Sequence, residues 1–131
     1  MTDLAKYMRQ AEARRFQFGA WDCCLWVAGW IQAKRGIDVA AAWRGRYATE
    51  KAAAALIFRA GGLTQLLDDI ALAHGLERTE DPQIGDVGVV WVETARGREH
   101  AAAIRTGIGW AVLSVGGLSV IQTDPLSAWK V

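Results

Sequence analysis

The spacing of apolar positions changes character after Asp81. Before it, apolar residues recur at helical intervals. Cys24, Val27, Ala28 and Ile31 share one face of a segment over residues 23–35. Asp22 stands in front of that segment where a helix cap is needed, and Gly36 stands where a helix ends. An earlier helix is predicted from a Thr2 cap to about Arg15, followed by an aromatic link over residues 16–21. Asp38 opens a short helical turn through Trp43. Thr49 caps a third helix that reaches Ala60 and stops at Gly61-Gly62. Thr64 begins a fourth, ending near His74-Gly75.

Beyond Pro82 and Gly85 the pattern is that of strands. Residues 87–92 form a continuous, valine-rich apolar run of strand length. Residues 94–99 are polar, contain Gly97 and read as a turn. A second strand is predicted over 100–106, a third over 110–115, and a fourth over 118–123. Gly107 and Gly109 punctuate the first gap, Gly116-Gly117 the second. Pro125 breaks the chain, and 128–131 closes as a short last strand. Short links between successive strands imply an antiparallel meander. Helices first and strands after imply an α+β domain.

Composition narrows the classes. A chain of 131 residues with 52% apolar and 22% charged residues is one globular domain with enough chain for a real core. The formal net charge of +1 gives no basic field for nucleic acid. No apolar run reaches membrane-spanning length. Asp3, Lys6, Arg9, Glu12, Arg14 and Arg15 interrupt the first fifteen residues, so the expectation is synthesis in the cytoplasm without an ordinary secretion signal.

The only two cysteines are adjacent, Cys23 and Cys24, which excludes a disulfide framework. With only His74 and His100 to join them, a four-ligand zinc site is not expected, and neither is a cofactor. A reactive thiol remains. Cys23 follows Asp22 directly, in the first turn of a helix, where free backbone N–H groups and the helix dipole favour thiolate. Cys24 is rotated by about 100° around the axis, so one of the two faces a given site. Cys23 is the candidate nucleophile, and Cys24 a packed small residue in line with Val27 and Ile31. For the general base, His74 reads as a helix-end residue, whereas His100 opens a strand and is the candidate.

Asp22-Cys23-Cys24-Leu25-Trp26-Val27 resembles the Asp-Cys-Ser-Gly-Leu-Val signature of NlpC-type cysteine peptidases. Residues 82–90, Pro-Gln-Ile-Gly-Asp-Val-Gly-Val-Val, resemble that superfamily's Pro-x-x-Gly-Asp-Leu-Val-Phe-Phe strand. His100-Ala101-Ala102-Ala103-Ile104 resembles its His-Val-Gly-Ile-Tyr strand. The three occur in the family's order. The particular form here resembles a compact branch encoded in phage and prophage tail gene clusters. The resemblance implies a reduced papain-like fold with N-terminal helices packed on the sheet. It implies Cys23 as nucleophile, His100 as base, and hydrolysis of peptide bonds in peptidoglycan stem peptides. It also implies a place in the virion tail beside tail-tip or baseplate hub proteins. The family's third polar residue, which orients the histidine from the next strand, corresponds to Ser114, with Gln122 one strand further as the other candidate. The sequence departs from the pattern at Cys24-Leu25, where the family has Ser-Gly. A structural adaptor of the tail tip, built on the same fold with little turnover, is the rival expectation.

Other residues have plainer readings. Asp86 before an apolar strand makes a turn. Trp26 and Trp30 pack on the sheet, Trp21 lines a groove, and the segment Arg44-Gly45-Arg46-Tyr47 is a basic solvated loop.

Overall fold

A computed structural model describes residues 4–131; the Thr2 cap falls outside the described residues. Four helices precede five strands. Helix α1 spans Leu4–Glu12 and ends before Arg15. Helix α2 spans Cys23–Arg35. Its cap Asp22 is extended, and the carboxylate accepts the Leu25 amide at 3.0 Å. Gly36 closes α2 at φ 73°, a conformation a side chain would strain. Helix α3 is Glu50–Arg59, capped by Thr49 as expected. Helix α4 is Leu63–His74. Gly62, not Thr64, precedes it at φ 103°, and no side chain caps it. Residues 39–45 form the short turn that Asp38 opens, the Ala40 carbonyl accepting the amides of Trp43 and Arg44. Asp38 accepts the Ala40 amide and pairs with the Arg44 guanidinium at 2.9 Å, holding the segment in place.

The strands are β1 Val87–Thr94, β2 Gly97–Arg105, β3 Trp110–Ser114, β4 Gly117–Ile121 and β5 Ser127–Trp129. They form one antiparallel sheet in the order β4-β3-β2-β1-β5. The first four run as the expected meander. β5 does not follow β4; it returns to the far edge and pairs with β1, Val87 opposite Trp129. The β1–β2 hairpin is also longer than the polar stretch 94–99 suggested. Thr94 pairs with Gly97, Glu93 with Arg98, and Trp91 with His100. Gly97 at φ 103° allows the two-residue link, and Glu93 and Arg98 face each other across the strands at 3.8 Å. Polar residues therefore continue the ladder past the core, and His100 lies inside β2 instead of opening it.

The sheet carries two apolar faces. Val87, Val89, Ala102, Ile104, Ala111, Leu113 and Trp129 meet Leu25, Val27, Ala28 and Ile31 of α2. Tyr7 of α1 stacks on Trp26 with centroids 5.7 Å apart and donates its hydroxyl to the Trp26 carbonyl. On the other face Val90, Ala101, Ala103, Trp110, Val112 and Ala128 cluster. Asp86 ties the start of β1 to the chain's last residue: its carboxylate accepts the amides of Gln83 at 2.8 Å and Val131 at 3.1 Å. No helix among the described residues is long and apolar enough to cross a membrane.

Candidate active site

Asp22 builds the start of α2 from three directions. One carboxylate oxygen caps Leu25; the other accepts the Gly19 amide at 2.9 Å and the Tyr47 hydroxyl at 2.6 Å. The residue is 2% exposed. Gly19, at φ 83°, lies so close against the Tyr47 carbonyl that no side chain fits there. The link before α2 and the segment after it are thereby clamped on one carboxylate. Tyr47, read from the sequence as solvated loop, belongs to this clamp, and Arg44 of the same segment is held by Asp38.

Cys23 is half-buried, and its Sγ lies 3.8 Å from that of Cys24. The Cys24 thiol hydrogen bond holds the Cys23 thiol below its ordinary range. Burial and the Asp22 charge oppose this, and the backbone N–H groups of Cys24 and Ala102 assist it. Cys24 moves the other way: its hydrogen bond to Cys23, its burial and the neighbouring negative charges all push its thiol well up. Cys23 is therefore the thiol of the pair that ionises more readily. Cys24 is more than the packed residue expected, because its sulfur shares a hydrogen bond with that of its neighbour.

The contact with Ala102 places Cys23 on β2. His100 lies two residues before Ala102 on the same strand, about 7 Å along it and on the same face. Cys23, Cys24 and His100 line one cleft of about 1110 Å³, which runs between the sheet and helices α3 and α4. Its walls are largely apolar, with Leu66, Ile57 and Trp43 among them, and Glu93, Arg96, Arg98 and Glu99 stand on the hairpin side. Helix α3 has no fully buried residue and covers the cleft loosely, its Glu50 paired with Arg96 of the hairpin turn.

Ser114 borders the same cleft as His100, but among the described residues neither it nor Gln122 is hydrogen-bonded to the imidazole. Ser114 is exposed and donates its hydroxyl to the Gly117 carbonyl at 3.2 Å, closing the β3–β4 turn. It alternates with Leu113, so its side chain leaves the sheet on the face of Val112 and Trp110. Gln122 follows β4 at the end where Ile121 faces Trp110 and Trp110 faces Arg105. That is five residues along β2 from His100, about 16 Å. What does hold the imidazole is Trp91, directly opposite on β1, with ring centroids 4.2 Å apart and planes at 61°. Arg98 lies over the Trp91 ring at 4.6 Å. Among the described residues, the His100 imidazole makes no hydrogen bond. Trp91 was missed from the sequence because its role depends on the hairpin register, and Tyr47 because its partner is distant in the chain.

Trp21 does not line a groove. It is buried, with the Arg14 guanidinium 3.9 Å above its ring. His74 ends α4 before Gly75 in the left-handed conformation. Among the described residues, no group of three or more His, Cys, Asp or Glu side chains is placed to hold a metal ion.

The fold is α+β, and it brings a cysteine at a helix start and a histidine on the facing strand into one cleft. The chain belongs to the DUF6950 family, a domain of unknown function, whose model matches residues 1–131. No curated protein and no solved structure matches it.

Proposed function

We propose that this protein is a cysteine peptidase or amidase of the NlpC type, cleaving peptide bonds of bacterial peptidoglycan as part of a phage tail tip or baseplate. The observation that carries the reading is the Cys23 thiol, held below its ordinary range at the start of α2, in the same cleft as His100. The motif resemblance of residues 22–27, 82–90 and 100–104 supplies the substrate class and the tail setting.

In this reaction Cys23 Sγ attacks the carbonyl carbon of the scissile bond. The oxyanion forms beside the first turn of α2, where the Cys23 backbone N–H is free to donate. His100 protonates the leaving nitrogen, the C–N bond breaks, and the acyl group stays on sulfur as a thioester. Water, deprotonated by His100, then releases the acid and regenerates the thiolate.

Digestion of purified sacculi tests this. New free amino groups and new muropeptides are expected, lost in Cys23→Ala and in His100→Ala. Intact sacculi after prolonged incubation with the wild type would reject the activity. The rival reading, a structural adaptor of the tail tip, draws on one observation: among the described residues, no polar group fixes the His100 imidazole. Co-purification with tail-tip proteins, undiminished in Cys23→Ala, together with unchanged sacculi, is the pattern that supports it.

A further inference from the structure

Two thiols 3.8 Å apart on consecutive residues, both facing one open cleft, are more than a single nucleophile requires. We propose that Cys23 and Cys24 form a peroxide-responsive dithiol, in which Cys24 resolves oxidised Cys23 to a vicinal disulfide and so protects the nucleophile reversibly. The inference rests on the reading of Cys23 as the reactive thiolate.

The chemistry balances without a further co-reactant. Cys23 thiolate attacks one oxygen of hydrogen peroxide, the O–O bond breaks, and hydroxide leaves, giving a sulfenic acid on Cys23. Cys24 sulfur then attacks the Cys23 sulfur. The S–O bond breaks, the Cys24 proton departs with that oxygen as water, and the disulfide forms. Two electrons have passed from the two sulfurs to peroxide. A thiol reductant reverses the step by exchange.

The site favours each stage. The thiol that peroxide needs as thiolate is the one held low, Cys23. The largest cause of the raised Cys24 thiol is its hydrogen bond to Cys23. Oxidation to the neutral sulfenic acid removes both that bond to a thiolate and the charge repulsion, so Cys24 becomes easier to ionise when it is needed. The sulfurs must approach by about 1.8 Å to reach bonding distance. Both residues sit in the first turn of α2, whose leading amides carry no intrahelical bond, so the rotation is confined to that turn and costs the bonds its carbonyls accept from the next one. Consecutive Cα atoms are about 3.8 Å apart, closer than an unstrained disulfide wants. The resulting strain makes the bond easy to reduce, which suits a reversible cap and not a permanent staple.

The test is intact-mass analysis of the full chain after hydrogen peroxide, with iodoacetamide labelling run in parallel. The expected wild-type product is monomeric, has lost two hydrogens, takes up no alkylating reagent, and regains both thiols after dithiothreitol. Cys24→Ser and Cys24→Ala are expected to gain two or three oxygens on residue 23 and to stay inert after reduction. If the wild type also accumulates such oxygens, or forms only intermolecular dimers, while Cys23 still alkylates rapidly without peroxide, this inference is overturned and the nucleophile reading survives. If Cys23 in the folded protein reacts with neither reagent, both fall.

Discussion

Tyr47 donates its hydroxyl to the Asp22 carboxylate across twenty-five positions of sequence, and that carboxylate sits immediately before the candidate nucleophile. One buried charge thus serves as helix cap, loop clamp and negative neighbour of a thiol.

Asp22→Asn separates these roles. Asparagine caps helices as well as aspartate does, so the Leu25 bond is retained. The second oxygen becomes an amide NH₂ that cannot accept from Gly19, which costs about 2 kcal/mol of stability. The Asp22 charge opposes ionisation of Cys23, so its removal lowers the thiol further. The expected variant is less stable in urea, yet alkylates faster at mildly acidic pH. A variant that loses stability and reactivity together would show that the clamp, not the charge, governs the thiol.

Alkaline stability carries a second prediction. Burial raises the Tyr7 hydroxyl far above its ordinary range, and burial together with the Asp22 bond does the same for Tyr47. In the unfolded chain both ionise near pH 10. Above that pH the native state therefore holds more protons than the unfolded state, and stability falls as pH rises. Urea midpoints should decline above about pH 10, and Tyr47→Phe should flatten the decline while costing about 1 kcal/mol at neutral pH. A decline of unchanged slope in both Tyr7→Phe and Tyr47→Phe would assign alkaline unfolding to other groups.

Trp91 and His100 form a cross-strand pair, and among the described residues no hydrogen bond fixes the imidazole ring. His100→Ala should reduce kcat by about 10²-fold or more, the usual contribution of a general acid–base. Trp91→Ala keeps the imidazole but frees it. A smaller fall in kcat is expected there, with a hydrolytic pH profile of unchanged shape. Equal losses in the two variants would mean that Trp91 itself contacts substrate.

Gly88 tests the far edge of the sheet. A Cβ there would meet the Ser127 carbonyl at 2.7 Å and the Trp110 ring at 3.0 Å. Because the neighbours are backbone of β5 and a buried indole, Gly88→Ala should cost about 1–3 kcal/mol. Its earliest effect should be faster hydrogen exchange in β5. Protection unchanged in β5 would show that the strand is anchored by Asp86 and Val131 instead.

Local features were legible and non-local ones were not. Asp22, Gly36 and Thr49 announce helix ends through their own side chains or lack of one, and the structure places all three at those ends. Thr64 misled because Gly62 can start a helix without a side-chain cap. The hairpin misled because polar residues 94–99 looked like a loop, although the ladder continues outside the core. Ser114 was assigned from motif position alone, and strand alternation sends it to the other face. The bonds from Tyr47 to Asp22, from β5 to β1 and from Trp91 to His100 each depend on pairings that no local pattern encodes.

The most direct test of the central claim is the pH dependence of iodoacetamide alkylation in the folded protein, compared among wild type, Cys23→Ala and Cys24→Ala. The account predicts rapid reaction at residue 23 alone, with a midpoint below the free-thiol value of about 8.5 that moves upward in Cys24→Ala. No alkylation of either cysteine until the protein unfolds, or reaction at Cys24 in place of Cys23, would contradict it.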